Sequence, residues 1–138
     1  MSLNISDKNN YLKGLLSLMG KENNADEKNE KIVRLIAENL GFNHYFVDDY
    51  INSIKGKKYI AIELLEFSNK EIAQTFIKDA IRFANLGHFL NRDEVKWLTS
   101  IAIKNKLPKQ WLTGEINYYL INNSSLDVSF EILKQLES

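Results

Sequence analysis

Apolar residues recur every three or four positions along most of this 138-residue chain, and only one proline, Pro108, interrupts the pattern. That spacing places apolar side chains on one face of an α-helix, so it predicts helix rather than strand. An isolated strand would also have no partner with which to pair. We therefore predict an all-α fold, a compact bundle of seven to eight short helices that forms one domain over residues 1–138.

One predicted helix has a broader apolar face than the others, and we expect it to be central. It begins near Ser68, because Ser68 and Glu71 have the spacing of a capping box, and Asn91 with Glu94 repeats that spacing further on. Residues 57–67 fit both a strand and a helix, and we predict a short helix there. The last predicted helix spans 126–136. The residues predicted to be buried are Ile36, Leu40, Phe76, Ile77, Ala80, Ala84, Leu98 and Ile101.

Composition excludes several classes of protein. The chain has no cysteine, which excludes disulfides, thiolate zinc sites, iron–sulfur clusters and a cysteine nucleophile. Its net charge is zero, which argues against nucleic-acid binding. No apolar run approaches the roughly 18 residues that span a bilayer, and residues 1–10 are too polar for a secretory signal. We expect a cytoplasmic protein, and the abundance of Asn, Lys and Ile over Arg is typical of an AT-rich bacterial genome.

A faint internal repeat relates the two halves of the sequence. When Ile36-Ala37 is aligned with Ile101-Ala102, Val33 falls on Leu98 and Phe42 on Leu107. Asp26 then falls on Asn91 in the turn that precedes each helix, and Lys31 falls on Lys96. Each half therefore contains a polar turn, a helix and a break at an apolar residue, which predicts two related helical units.

These two units resemble the TerB-like family, which includes tellurite-resistance proteins and a domain of the membrane-anchored DjlA co-chaperones. The family repeats an acidic turn followed by a helix that ends near Ile-Ala and Leu-Gly-Phe. The matching segments here are Gly20-Lys21-Glu22, Ile36-Ala37-Glu38-Asn39-Leu40-Gly41-Phe42, Ala84-Asn85-Leu86-Gly87-His88, Asp93-Glu94-Val95-Lys96-Trp97-Leu98 and Ile101-Ala102. The resemblance implies a helical domain with a role in bacterial stress response or tellurite resistance.

The acidic turns of that family are thought to bind a divalent metal, but this chain departs from the pattern. Gly87 and Asn29 stand where the family has acidic residues, and no segment has the spacing of an EF-hand loop. We therefore expect no structural metal and no cofactor, and at most weak binding of a divalent cation. The candidate ligands are Glu22, Asp26, Glu30 and Glu94, with His88 nearby.

Catalytic signatures are absent from the sequence. It contains no Gly-x-Ser-x-Gly, no phosphate-binding glycine loop and no His-Glu-x-x-His. We therefore predict that the protein is not an enzyme but a non-catalytic interaction module with a protein partner. The alternative is a divalent-cation-binding or cation-sensing domain.

Overall fold

The computed structural model describes residues 2–21, 27–54, 64–86, 90–122 and 130–136, and it confirms the all-α prediction. Within those ranges every regular element is an α-helix. None of the helices in these ranges is both long enough and apolar enough to span a membrane. The seven helices are α1 (Ile5–Lys21), α2 (Glu27–Asn39), α3 (His44–Ile54), α4 (Lys70–Ala84), α5 (Arg92–Lys104), α6 (Lys109–Asn122) and α7 (Glu131–Leu136).

The first six helices form two equivalent three-helix units. Helices α4, α5 and α6 each begin 65 residues after α1, α2 and α3 respectively, which is the register predicted from the two Ile-Ala pairs. Within each unit every helix contacts the other two, and the units contact each other through α1 and α4. Buried side chains occupy matching positions: Tyr11 and Phe76, Leu12 and Ile77, Leu16 and Ile81, Val33 and Leu98, Ile36 and Ile101, Ala37 and Ala102, Val47 and Leu112.

The second helix of each unit ends in the same backbone motif. The Gly41 N–H donates to the Glu38 carbonyl and the Phe42 N–H to the Ala37 carbonyl, at 3.0 and 2.9 Å. In the second unit the N–H groups of residues 106 and 107 donate to the carbonyls of residues 103 and 102, at 3.0 and 2.8 Å. Both patterns are Schellman endings, which require a left-handed residue just after the helix. That residue is Gly41 (φ +91°) in one unit and Lys106 (φ +62°) in the other.

Asparagine caps the first helix of each unit. The Asn4 Oδ1 atom accepts from the Asp7 N–H at 2.7 Å, and Asn69, its counterpart 65 residues later, accepts from the Ile72 N–H at 2.9 Å. The predicted cap at Ser68 is therefore wrong by one residue. Ser68 instead donates to the Asp7 carboxylate through both its N–H and its hydroxyl, at 2.8 and 2.6 Å.

The predicted capping box at the start of α5 is confirmed. The Asn91 side chain accepts from the Glu94 N–H at 2.8 Å, and the Glu94 carboxylate accepts from the Asn91 N–H at 3.0 Å. Two of the N–H groups at this end of the helix are thereby satisfied.

Both units share one hydrophobic core, and α4 lies at its centre. Helix α4 contacts α1, α5, α6 and α7, and ten of its fifteen residues are buried. The Phe76 ring packs edge-on against Tyr11 at 5.2 Å and against Trp97 at 6.3 Å between ring centroids. Gly14 on α1 lets the two helices approach, since an added Cβ would lie only 2.3 Å from the Phe76 ring. All eight residues that the sequence predicts to be buried are buried.

A closing segment follows each unit and packs on that unit's first helix. Leu65 and Phe67 are buried, and the Glu66 carbonyl accepts from Asn10 of α1 at 2.9 Å. In the second unit, Phe130 and Ile132 are buried 65 residues later, and α7 packs on α4 and α2. The short helix predicted over 57–67 is wrong for residues 64–67, which are not helical, whereas residues 57–63 lie outside the described ranges. The last predicted helix is confirmed over 131–136 and wrong at Phe130, which is not helical, and residues 126–129 are likewise outside those ranges.

Candidate functional site

Three aromatic side chains form a ridge at the start of α3, and we name Phe42, Phe46 and Tyr50 the aromatic ridge. Phe46 and Tyr50 are four residues apart on one side of α3, and Phe42 precedes the helix by two residues. The rings of Phe42 and Phe46 stack at 5.9 Å between centroids, and Phe46 lies 6.2 Å from Tyr50. Half of the Phe46 surface is exposed to solvent, so the row of contacting rings extends to the molecular surface.

Two cavities lie beside the aromatic ridge, and Phe42 lines both of them. The cavity on the α1 side measures about 330 Å³ and is lined by Leu12 and Leu16, with Asn9 and Lys13 also in its wall. The cavity on the other side measures about 430 Å³ and has a more polar lining. Its residues are Arg34, Glu38, Phe42, Asn43, His44 and Val47.

Arg34 holds the polar cavity in shape by joining α2 to α3. Its guanidinium pairs with Glu30 one turn earlier at 3.1 Å and with Asp48 on α3. Hydrogen bonds to Asp48 and Glu30 raise the pKa of Arg34, so its guanidinium keeps its positive charge. His44 is exposed, and its ring lies tilted against the Tyr45 ring at 4.1 Å between centroids.

The structure places two of the four predicted metal ligands. Glu30 pairs with Arg34, and the fully buried Glu94 takes part in the capping box. Glu22 and Asp26 lie outside the described residues, as does His88. In the part of the chain that the structure describes, no group of three His, Asp or Glu side chains could hold a metal ion. The metal prediction stays a prediction, since half of its candidate ligands lie outside these ranges.

A buried polar cluster at Asp79 was not predicted. The Asp79 carboxylate accepts from the backbone N–H groups of Glu131 and Ile132 at 2.7 and 3.0 Å, and also from the Tyr11 hydroxyl. Arg82 lies 3.5 Å from the same carboxylate and pairs with Glu131 at 3.1 Å. Asp79 thus caps the first turn of α7 from another helix and fastens α7 to the core.

Burial has the largest effect on the pKa of the Asp79 carboxyl. It raises the pKa of this carboxyl from 3.8 to about 6, although the hydrogen bonds from Tyr11, Ile132 and Glu131 and the charge of Arg82 act in the opposite direction. Burial also raises the pKa of the Tyr11 hydroxyl. One sequence signal marks the cluster: a carboxylate at position 79 interrupts the broad apolar face of α4.

Comparisons with protein-family models, curated proteins and solved structures find no match to this chain.

Proposed function

We propose that this chain is a non-catalytic protein-interaction module of the bacterial cytoplasm that binds its partner through the aromatic ridge. The observation that carries the proposal is the ridge itself, in which the half-exposed Phe46 ring contacts both Phe42 and Tyr50 beside two cavities. Aromatic residues are enriched at the centres of protein interfaces, where they bury a large area at low entropic cost.

The surroundings of the aromatic ridge favour a protein partner over a small substrate. Both cavities are open to solvent, and the one cationic residue among the described lining of the polar cavity, Arg34, is engaged in ion pairs with Glu30 and Asp48. A catalytic site instead brings a nucleophile, a base and an orienting group within hydrogen-bond reach. The surface therefore fits a docking role, and the resemblance to TerB-like proteins supports the same class of function. A part in tellurite resistance or another stress response belongs to this proposal as well.

The proposal is tested by affinity capture from a bacterial lysate with the wild type, Phe46→Ser and Tyr118→Ser. Tyr118 is 64% exposed on α6, away from the aromatic ridge, so its variant controls for general loss of surface aromatics. We expect one protein to be retained by the wild type and by Tyr118→Ser but lost with Phe46→Ser.

Binding of that purified protein is then measured by calorimetry. Phe46→Ser should weaken the affinity about tenfold or more, as expected for an aromatic side chain at the centre of an interface. Equal affinities for all three proteins would show that the aromatic ridge is not the binding surface. Circular dichroism verifies that each variant keeps its helices.

A further inference from the structure

A second concave site lies between the first closing segment and the end of α5. It measures about 230 Å³, and none of its described lining residues belongs to the two cavities beside the aromatic ridge. Three of its lining residues are lysines: Lys70, Lys104 and Lys106. We name this site the lysine pocket.

The lysine pocket is positively charged. Among the described residues that line it, Glu66 is the one acidic side chain, against the three lysines. Among the described residues, none of the three lysine ammonium groups forms an ion pair. The chain as a whole has no net charge, so a local surplus of positive charge is a property of this pocket and not of the whole surface.

The walls of the lysine pocket are fixed by buried hydrogen bonds. The Asn105 side chain accepts from the Phe67 N–H and donates to the Leu65 carbonyl, both at 2.8 Å. Ser68 is held from the other side by Asp7. The backbone that carries the three lysines is therefore anchored before any ligand arrives, which lowers the entropic cost of binding.

The duplicated unit shows that the fold does not need these lysines. The counterparts of Lys70, Lys104 and Lys106, 65 residues earlier, are Ile5, Asn39 and Gly41, and none of them is charged. Yet α1 begins with the same asparagine cap as α4, and α2 ends with the same backbone hydrogen bonds as α5.

Among the three lysines, Lys106 gives the strongest argument against a purely structural role. It adopts a left-handed conformation at the position where the first unit has glycine, the residue that tolerates this conformation best. The helix caps and helix endings that the two units share therefore require none of the three positive charges. At position 106 the left-handed conformation even disfavours lysine.

We propose that the lysine pocket binds a phosphate dianion, either free or carried by a small metabolite. Lysine ammonium groups bind phosphate as point charges, so three of them around one concave site suit a compact anion of more than one negative charge. Three ammonium groups and one carboxylate leave a surplus of two positive charges, which matches a phosphomonoester near neutral pH. The volume is below the roughly 300 Å³ typical of drug-sized ligand pockets, so the site fits a single anionic group.

The test is a titration followed by amide chemical shifts in NMR at constant ionic strength, with chloride as the reference anion. The titrants are inorganic phosphate, glycerol 3-phosphate and vesicles that contain phosphatidylglycerol. We expect saturable shifts of the amides of residues 66–70 and 104–106 with either of the first two titrants. Tighter binding of glycerol 3-phosphate than of inorganic phosphate would assign the dianion to a metabolite, and the reverse order would assign it to the free ion.

Two variants and one matched control test whether the lysines of the pocket bind the phosphate. Lys104→Gln and Lys106→Gly should each weaken phosphate binding about fivefold, the upper range for an exposed charge pair. Lys96→Gln on the exposed face of α5 should leave it unchanged. Lys106→Gly also relieves the left-handed conformation, so its melting temperature should rise while its affinity falls, which separates lost binding from lost folding.

Three results would overturn the inference. The first is a shift that does not saturate or that chloride reproduces. The second is an affinity that is the same in Lys106→Gly, Lys104→Gln and the wild type. The third is binding to vesicles alone, which would assign the positive charges to a membrane surface rather than to a small phosphate.

Discussion

Gly41 and Lys106 occupy the same position in two equivalent helix endings, and they differ in conformational cost. An L-residue in the left-handed region costs about 1–2 kcal/mol relative to glycine. We expect Lys106→Gly to raise the free energy of unfolding by about 0.5–1 kcal/mol, because part of the relief is offset by the greater freedom of glycine in the unfolded chain. Urea denaturation of the two proteins measures the difference.

The reciprocal variant is Gly41→Ala, which should lower the free energy of unfolding by about 1 kcal/mol. An added Cβ at Gly41 would meet no atom within 4 Å, so the loss would be conformational and not steric. A gain in stability from Gly41→Ala, or a loss from Lys106→Gly, would mean that side-chain contacts outweigh the free-energy cost of the left-handed backbone conformation.

Asp79 gives the protein a stability that depends on pH. Its pKa is about 6 in the folded state against 3.8 ordinarily, so the folded state binds a proton more readily between these values. This contribution therefore favours the folded state at acidic pH and is lost as the pH rises from about 4 to above 6, by up to about 3 kcal/mol.

Replacement of Asp79 by Asn should remove that slope. Urea denaturation between pH 3.5 and 7.5 should show the wild type losing stability relative to Asp79→Asn as the pH rises. The exposed residue Asp49 provides the control, because Asp49→Asn should keep the wild-type slope. Parallel pH profiles for the wild type and Asp79→Asn would contradict the conclusion that Asp79 causes the pH dependence of stability.

At the scale of elements, periodicity predicted the helices well because α1 to α5 each bury an apolar stripe. The 3.6-residue repeat located α4 as the central helix, and the spacing of Asn91 and Glu94 located the start of α5. The prediction of the α4 cap failed because a contact with another helix determines which residue caps α4. Ser68 has the residue type of a cap, but Asp7 of another helix takes both of its hydrogen bonds, so Asn69 caps α4.

The central place of α4 predicts a large loss on truncation of Phe76. We expect Phe76→Ala to lower the free energy of unfolding by about 3–5 kcal/mol, through lost burial and a cavity between α1, α4 and α5. The matched variant Phe46→Ala removes the same ring from a half-exposed position and should cost much less. A loss below about 1 kcal/mol for Phe76→Ala would mean that the core relaxes around the missing ring, contrary to a central role for α4.

For the whole molecule, the sequence revealed the register of the duplication but not its extent. Only a few identities, among them Ile36-Ala37 and Ile101-Ala102, survive between the units, whereas the pattern of burial is kept at many positions. The lysine pocket could not be predicted, because it brings together residues 66–70 and 104–106, which are distant in sequence, and no local spacing marks that meeting. The rings of the aromatic ridge do follow a local four-residue spacing, but that spacing does not show which side of the helix stays exposed.

The metal alternative is also tested on the whole protein. Calorimetric titration with calcium, magnesium, manganese and zinc should show no dissociation constant in the micromolar range or below. The physical reason is that Arg34 neutralises Glu30 and that Glu94 is used in a helix cap. A tight site that Glu22→Ala or Glu94→Ala abolishes would contradict this expectation and favour the cation-binding function.

The packing of α7 on α2 has a consequence for how the protein is made. A chain leaving the ribosome can form the contacts of α1, α2 and α3 early, because they involve residues close in sequence. The face of α2 that α7 covers stays uncovered until residues 130–136 have emerged, after the whole second unit has been synthesised. Nascent chains that stop before α7 therefore present an incomplete core to proteases and chaperones, and full protection of the first unit is reached only after translation of α7.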